Sequence, residues 1–204
     1  QGSYTARDSL MTGTGYWLKF ATPETIGITG KGIPKDTIDL RAGWNCVGSL
    51  TDTIGSSGIR TLPVGILSTP FYEYAGQYTA STVLRPRIGY WVRTRQAGKL
   101  ILKAPGVAKE LQTQTGDIPG PASGETGLLR LTDQTGRSQS LSFGVDRSDG
   151  QSTESYELPP LPPEEGFDIR FETQRSADFV RGSSPHRLPI ELHGVHLPLT
   201  VEWN

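Results

Sequence analysis

Apolar and polar residues alternate with a period of two along most of the chain, and this alternation predicts β-strands rather than helices. A clear example is the segment 188–192, in which Leu188, Ile190 and Leu192 alternate with polar residues or proline. The segment 197–203 repeats the pattern after Gly194. We predict that the two segments form a β-hairpin that turns at Gly194 and has one apolar and one polar face.

Two further segments show the same alternation. The apolar residues of 129–131 and 141–145 flank the Gly-closed turn 133–136 and predict a second hairpin. In 167–172 the aromatic and aliphatic side chains point to one side of an extended chain, and the charged side chains point to the other. This pattern is typical of a half-buried antiparallel strand.

The N-terminal half contains an internal duplication. Seven positions are identical at a constant offset of 74 residues, namely Tyr4 and Tyr78, Thr5 and Thr79, Ala6 and Ala80, Leu10 and Leu84, Gly15 and Gly89, Tyr16 and Tyr90, and Trp17 and Trp91. The same frame places conservative pairs at Leu18 and Val92, Lys19 and Arg93, Ile26 and Leu100, and Ile28 and Leu102. We name residues 4–28 the first copy and residues 78–102 the second copy. Segment 38–77 leads into the second copy and has no counterpart ahead of the first, so we expect the chain to begin inside a repeat.

Glycine and proline divide the chain. They are concentrated in 105–126, a composition typical of a linker between two domains. The sequence therefore predicts an all-β protein with almost no helix: a duplicated antiparallel β barrel or sandwich in 1–104, the linker, and a β-sandwich in 127–204. The proline run 158–163 lacks ladder donors and is expected to be an extended segment that crosses between the sheets, or alternatively a ligand for an aromatic groove.

Composition limits the classes of function. The net charge is −1 with both signs interspersed, which is not the pattern of a nucleic-acid-binding face or a polybasic membrane patch. No apolar run approaches the roughly 18 residues that a transmembrane helix requires. The single Cys46 cannot form an intrachain disulfide and is expected to be a small buried apolar residue.

Candidate catalytic and metal sites are weak. His193 and His196 are separated by a turn at Gly194, and no cysteine or acidic residue completes a zinc-type set. Asp146 and Asp149 resemble part of a calcium loop but lack the alternate spacing of an EF-hand, so we interpret them as a solvated turn, with calcium binding as the alternative. No nucleophile elbow or phosphate-binding glycine loop is present. We therefore expect no enzyme activity, no cofactor and no metal.

The aromatic pairs Tyr16-Trp17 and Tyr90-Trp91 are the candidate contact residues, together with Leu18. Adjacent residues on a strand face opposite sides, so one ring of each pair should enter the core and the other should lie at the surface. A surface ring could pack under a neighbouring loop, stack on a sugar or contact another protein. These five residues are the predicted assembly or ligand contacts.

Several longer motifs are similar to those of a known family. They are GYWLKF at 15–20, IDLRAGWNCVGS at 38–49, LRPRIGYWVR at 84–93, YELPPLPP at 156–163, FDIRF at 167–171 and LPLTVEW at 197–203. They resemble the C-terminal regions of large secreted proteins of the Bacteroidota and their relatives, which carry such strands before a type IX secretion sorting tail. The resemblance covers nearly the whole chain. The sequence departs from the pattern at Arg87-Ile88, where Gly-Lys is usual, and residues 1–204 do not include the sorting tail.

The resemblance implies export across the outer membrane, followed by display at the cell surface or release, and it brings no catalytic residue. We therefore expect a non-catalytic secreted or cell-surface structural module. Its partner strands would come from upstream domains of the same precursor, or from a neighbouring subunit by β-strand addition, which would make it a subunit of an extracellular fibre. The alternative is an adhesion module that binds a glycan or a surface.

Overall fold

The computed structural model of the chain describes residues 4–105, 127–145, 153–163, 165–181 and 185–204. The described residues form thirteen strands and two single-turn 3₁₀ helices, at Ser56–Gly58 and Thr153–Tyr156. In chain order the strands are β1 Lys35–Leu40, β2 Gly43–Val47, β3 Ile59–Leu62, β4 Phe71–Tyr74, β5 Tyr78–Ser81, β6 Tyr90–Thr94, β7 Gly98–Lys103, β8 Gly127–Thr132, β9 Ser138–Val145, β10 Asp168–Phe171, β11 Ala177–Val180, β12 Ile190–His193 and β13 Thr200–Trp203. The expectation of an all-β protein is therefore confirmed.

The described residues divide into two compact units. The N-terminal unit contains residues 5–73 and 80–105, and the C-terminal unit contains Tyr4, residues 74–79 and the described residues from Gly127 onward. The part of the predicted linker at 106–126 and the loop with Asp146 and Asp149 lie outside the described residues.

In the N-terminal unit the second copy supplies a central strand to each of two sheets. The sheets have the orders β1-β7-β3 and β2-β6-β4-β5. β6 lies antiparallel between β2 and β4, and β7 lies antiparallel between β1 and β3. The inward side chains of β6 and β7 belong to one apolar core, which also contains Leu40, Val47, Leu50, Ile54, Ile59, Ile66, Leu67, Phe71, Leu84 and Ala104.

The C-terminal unit also contains two sheets, with the orders β11-β9-β8-β13 and β10-β12. The predicted hairpin around 133–136 is confirmed, because β8 and β9 pair antiparallel with Leu129 opposite Leu141. β9 and β11 run parallel, so this sheet is mixed rather than purely antiparallel as we expected. The buried apolar core of the unit consists of Leu131, Leu141, Phe167, Ile169 and Phe171.

The predicted hairpin through Gly194 is wrong. β12 pairs with β10, whereas β13 pairs with β8, so the two strands lie in different sheets. Contacts from the turn between β8 and β9 hold the crossing: Arg137 Nη2 donates to the Gly194 carbonyl at 2.8 Å, and the Gln134 backbone N donates to the His196 carbonyl at 3.0 Å. The His196 backbone N donates to Asp133 Oδ2 at 3.3 Å. These bonds direct the chain from one sheet to the other.

The strand β10 is buried on both faces, which corrects the prediction that its charged side chains face solvent. Asp168 and Arg170 are 0% and 1% exposed. They form a two-pronged ion pair, with Arg170 Nε 2.5 Å from Asp168 Oδ1 and Nη2 2.8 Å from Oδ2. A buried charge is tolerated only when it is paired and hydrogen-bonded, and this geometry supplies both.

The proline run 158–163 forms no strand, as we predicted from its missing donors. Three successive carbonyl oxygens of the run accept hydrogen bonds within the C-terminal unit: Pro159 from Arg170 Nη1 at 2.8 Å, Pro160 from the Tyr78 hydroxyl at 2.8 Å and Leu161 from the Tyr4 hydroxyl at 2.6 Å. Tyr4 and Tyr78 are equivalent residues of the two copies, and both belong to the C-terminal unit, so this run is bound twice by the same type of side chain.

Candidate assembly surface

The two copies adopt the same local structure ahead of their GYW motifs. In the second copy the Tyr90 hydroxyl accepts a hydrogen bond from the Arg85 backbone N at 2.8 Å. In the first copy the Tyr16 hydroxyl accepts one from the Met11 backbone N at 2.9 Å. Donor and acceptor are five residues apart in both, so the duplication extends from sequence to loop geometry.

Backbone dihedrals confirm the correspondence. Gly13 has a φ of +78°, and its counterpart Arg87 has a φ of +66°. The departure at Arg87 from the usual glycine therefore leaves the turn in place, although a residue with a Cβ is strained in this region. A Cβ at Gly13 would also lie 3.0 Å from Asp36 Oδ2 and from Ile38 Cγ1, so the first copy has a second reason for glycine.

The copies diverge after the loop. Residues 16–29 are all described and form no strand, whereas their counterparts 90–103 in the second copy contain β6 and β7. The prediction that Tyr16 and Trp17 lie on a strand is therefore wrong. At the start of this segment Thr14 bridges to Val47, on the edge of β2 that faces away from β6. The central positions between β2 and β4 and between β1 and β3 are already occupied by the second copy.

Burial shows the consequence of this divergence. The comparison concerns four pairs of equivalent apolar residues: Leu10 and Leu84, Leu18 and Val92, Ile26 and Leu100, and Ile28 and Leu102. The second-copy members are all 0% exposed, whereas the first-copy members are 53–83% exposed. We name residues 16–28 the open segment. It has the same apolar pattern as the buried hairpin of the second copy, but its apolar side chains are exposed.

The second-copy candidates lie on opposite faces of β6. Tyr90 is fully buried and packs edge-on against Phe71 at 6.5 Å, and burial raises the pKa of its hydroxyl. Trp91 is half-buried on the other face and packs edge-on against Trp44, with ring centroids 6.5 Å apart. Trp44 in turn lies 6.2 Å from Tyr72. The expected division into one core ring and one outer ring therefore holds for this pair.

In the first copy, Tyr16 and Trp17 are both half-buried and Leu18 is exposed. The GYW glycines of the two copies meet, because a Cβ built on Gly89 would lie 3.3 Å from Gly15 Cα. A Cβ on Gly15 would lie 2.5 Å from Cys46 Sγ, so only glycine fits there. The structure thus brings the start of the open segment against the second copy.

Groups that could support chemistry are scarce among the described residues. Cys46 is half-buried, and burial raises the pKa of its thiol to about 12, so the thiolate that a nucleophile requires is not populated near neutral pH. His193 lies on β12. His196 lies in the crossing between β12 and β13, where its backbone N donates to Asp133 Oδ2. The described ranges contain no group of three or more His, Cys, Asp or Glu side chains that could hold a metal. Nor does any described helix have the length and apolar character of a membrane span.

We compared the chain with models of known protein families, with curated proteins and with solved structures, and none of them matches. The candidate surface therefore depends on the geometry of the chain itself. The candidate surface consists of the exposed apolar residues of the first copy, Leu10, Leu18, Ile26 and Ile28. Only Leu18 was among the predicted contacts. Aligning the two copies and asking which apolar positions lack a partner would have identified the other three.

Proposed function

We propose that the chain is a non-catalytic structural module of a secreted or cell-surface protein, and that the open segment joins it to a neighbouring β-sheet by strand addition. The observation that carries this proposal is the difference in burial between the copies. One apolar pattern is fully buried in the second copy and largely exposed in the first.

Strand addition would supply the open segment with backbone hydrogen bonds to a neighbouring strand and would bury its apolar side chains. A segment that pairs along the edge of a sheet hydrogen-bonds to the edge strand, and its alternate apolar side chains can then cover the partner's core. When the neighbour is another subunit, the open segment of one molecule meets a different surface of the next. Such a heterologous contact propagates without closing, which produces a fibre.

Two features favour a structural role over glycan adhesion. Trp91, the outer ring of the second-copy pair, is engaged, since it packs against Trp44 and both rings are half-buried. Four of the exposed apolar side chains, those of Leu10, Leu18, Ile26 and Ile28, belong instead to a repeated framework pattern. The resemblance of the motifs to secreted surface proteins supports an extracellular location for the module.

The first test is the substitution Leu18→Lys, which places a charge among the apolar positions of the open segment. We expect the native chain to form assemblies that grow with protein concentration in light scattering and appear in electron micrographs. Leu18→Lys should remain monomeric, because a buried unpaired ammonium opposes strand addition. Because Leu18 is exposed, the variant should unfold at the same temperature as the native chain.

Thr25→Lys is the matched control. It adds the same charge to the same segment, but its counterpart in the second copy is Lys99, a solvent-exposed lysine. This variant should assemble as the native chain does. Assemblies of Leu18→Lys that equal those of the native chain, or a native chain that stays monomeric at every concentration, would contradict the proposal in its fibre form.

A further inference from the structure

The second copy shows what a GYW hairpin of this sequence packs against. Its strands β6 and β7 fill a gap that runs through both sheets of the N-terminal unit, between β2 and β4 in one and between β1 and β3 in the other. We name this gap the central slot. Val92, Leu100 and Leu102 are 0% exposed within it.

The open segment has the determinants that fit a central slot. Leu18, Ile26 and Ile28 occupy the positions of those three buried residues. The preceding loop has the same hydrogen bond from the backbone to the tyrosine hydroxyl and the same positive φ as in the second copy. The open segment therefore has the apolar positions that a slot buries, and the loop that precedes it has the same geometry as the loop that precedes β6.

A second copy of the chain offers no vacant slot among its described residues. The one central slot among the described residues is occupied by its own β6 and β7, whose inward side chains are fully buried. A second copy can therefore receive the open segment only at an open sheet edge, such as that of β13, which pairs with β8 on one side and carries the exposed side chains of Val201 and Trp203.

We propose that the preferred partner of the open segment is a β domain that presents a vacant central slot: two pairs of strands of the β1/β3 and β2/β4 kind, without a GYW hairpin of its own. This inference rests on the proposed function and specifies its partner. The partner carries inward apolar residues at positions equivalent to Leu40, Val47 and Ile59, and unpaired backbone groups on both sides of the gap.

Charge adds a further requirement to the slot. In the second copy Lys99 lies directly opposite Asp39, and its Nζ is 2.5 Å from Asp39 Oδ1. The first copy has Thr25 at the position of Lys99. A slot built from the strands of this chain would therefore place a carboxylate beside residue 25 of the open segment.

The probe for this inference is a polypeptide with the sequence of residues 34–77, fused to a soluble carrier protein. It contains β1 to β4 and ends one residue before Tyr78, the counterpart of Tyr4. We expect it to bind the full chain with a 1:1 stoichiometry and to protect the backbone amides of 16–28 from hydrogen exchange. It should also dissolve assemblies of the full chain, because a slot buries more of the open segment than an edge does.

Two variants of the full chain make the test specific. Ile26→Lys should weaken binding of the probe by at least about a hundredfold, because it places a charge where Leu100 is buried in the second copy. Thr25→Lys should bind at least as tightly as the native chain, because the added ammonium lies beside the probe's Asp39. Both positions are exposed, so both variants should fold as the native chain does.

A tandem chain, with residues 34–77 joined ahead of Gln1 by a flexible linker, keeps the test independent of the solubility of the probe. We expect a higher unfolding temperature than that of the native chain and protection of 16–28, and loss of both in the tandem Ile26→Lys variant. If the native chain assembles but neither probe nor tandem engages 16–28, this inference is wrong and the proposed function stands. If there is no assembly and no engagement, both fail.

Discussion

At the scale of single residues, position 87 has a backbone conformation that residues with a Cβ rarely adopt. Arg87 has a φ of +66°, and the equivalent position of the first copy is Gly13 at +78°. The left-handed region costs a non-glycine residue about 1–2 kcal/mol. Glycine avoids this cost, but it loses more conformational entropy on folding, which offsets part of the advantage. The second copy therefore contains a local strain that the first copy avoids.

Arg87→Gly should relieve this strain and raise the free energy of unfolding by about 0.5–1 kcal/mol. Chemical denaturation of the native chain and the variant measures the difference. Gly13→Ala is the opposite change and should lower stability, since a Cβ there would lie 3.0 Å from Asp36 Oδ2 and from Ile38 Cγ1. A variant Arg87→Gly that is less stable than the native chain would show that the arginine makes a compensating contact.

The ion pair of Asp168 and Arg170 is the second decisive feature at this scale. Arg170→Ala should lower the free energy of unfolding by about 3–5 kcal/mol, because it leaves a buried carboxylate without a partner. The double variant Asp168→Leu/Arg170→Met should recover much of this loss, because it removes both charges and keeps the volume. Denaturation curves of the three chains test this; a loss below about 1 kcal/mol for Arg170→Ala would show that water reaches the pair.

At the scale of elements, the turn between β8 and β9 determines where β12 and β13 lie. Asp133 accepts hydrogen bonds from the backbone N and hydroxyl of Thr135, from the Arg137 backbone and guanidinium, and from the His196 backbone N. Burial alone would raise the pKa of this carboxyl, but the bonds from Thr135, Arg137 and His196 outweigh it and hold the pKa well below its ordinary range.

Asp133→Asn should therefore destabilise the C-terminal unit in a pH-dependent way. The carboxylate has a lower pKa in the folded chain than in the unfolded chain, so its stabilising effect is complete above about pH 4 and is lost as the pH falls further. The native chain should unfold at a higher temperature than the variant at pH 7, and the gap should narrow below pH 4. A gap that is the same at pH 3 and pH 7 would contradict a charge-based role.

Much of the element structure could be predicted from the sequence, whereas strand pairing could only partly be predicted. Period-two alternation identified β8, β9, β10, β12 and β13, because apolar faces must be buried. It does not specify which strand lies beside which, so Gly194 was interpreted as the tip of a hairpin when it lies in a crossing between sheets. The sequence analysis also did not predict the burial of Arg170. Its guanidinium bonds to the proline run at Pro159, and the alternation of residues within β10 does not indicate that another segment covers its polar face.

The candidate surface could be predicted in part. The duplication, with its seven identities, predicted that the first copy needs partner strands from upstream residues or from a neighbour, and Leu18 was identified from it. We still expected Tyr16 and Trp17 to lie on a strand, because an intact pattern predicts the element that it forms elsewhere. A strand needs neighbours as well as a pattern, and the described residues provide those neighbours only to the second copy.

At the scale of the whole molecule, one chain contains two copies of the same apolar pattern, one folded into a core as β6 and β7 and one exposed at the surface without strand structure. Fully burying an apolar side chain of this size contributes about 1.5–3 kcal/mol, so covering Leu18, Ile26 and Ile28 would yield enough free energy to drive association. The central claim is that the second copy is complete within the chain and that the first copy is completed by a neighbour.

Amide hydrogen exchange across 16–28 and 90–102, followed at low and high protein concentration, tests that claim most directly. We predict that 90–102 is protected at both concentrations, because β6 and β7 are central strands. Residues 16–28 should exchange quickly at low concentration and become protected when light scattering records assembly. Protection of 16–28 in the monomer, or fast exchange of 16–28 in the assembled state, would contradict the account.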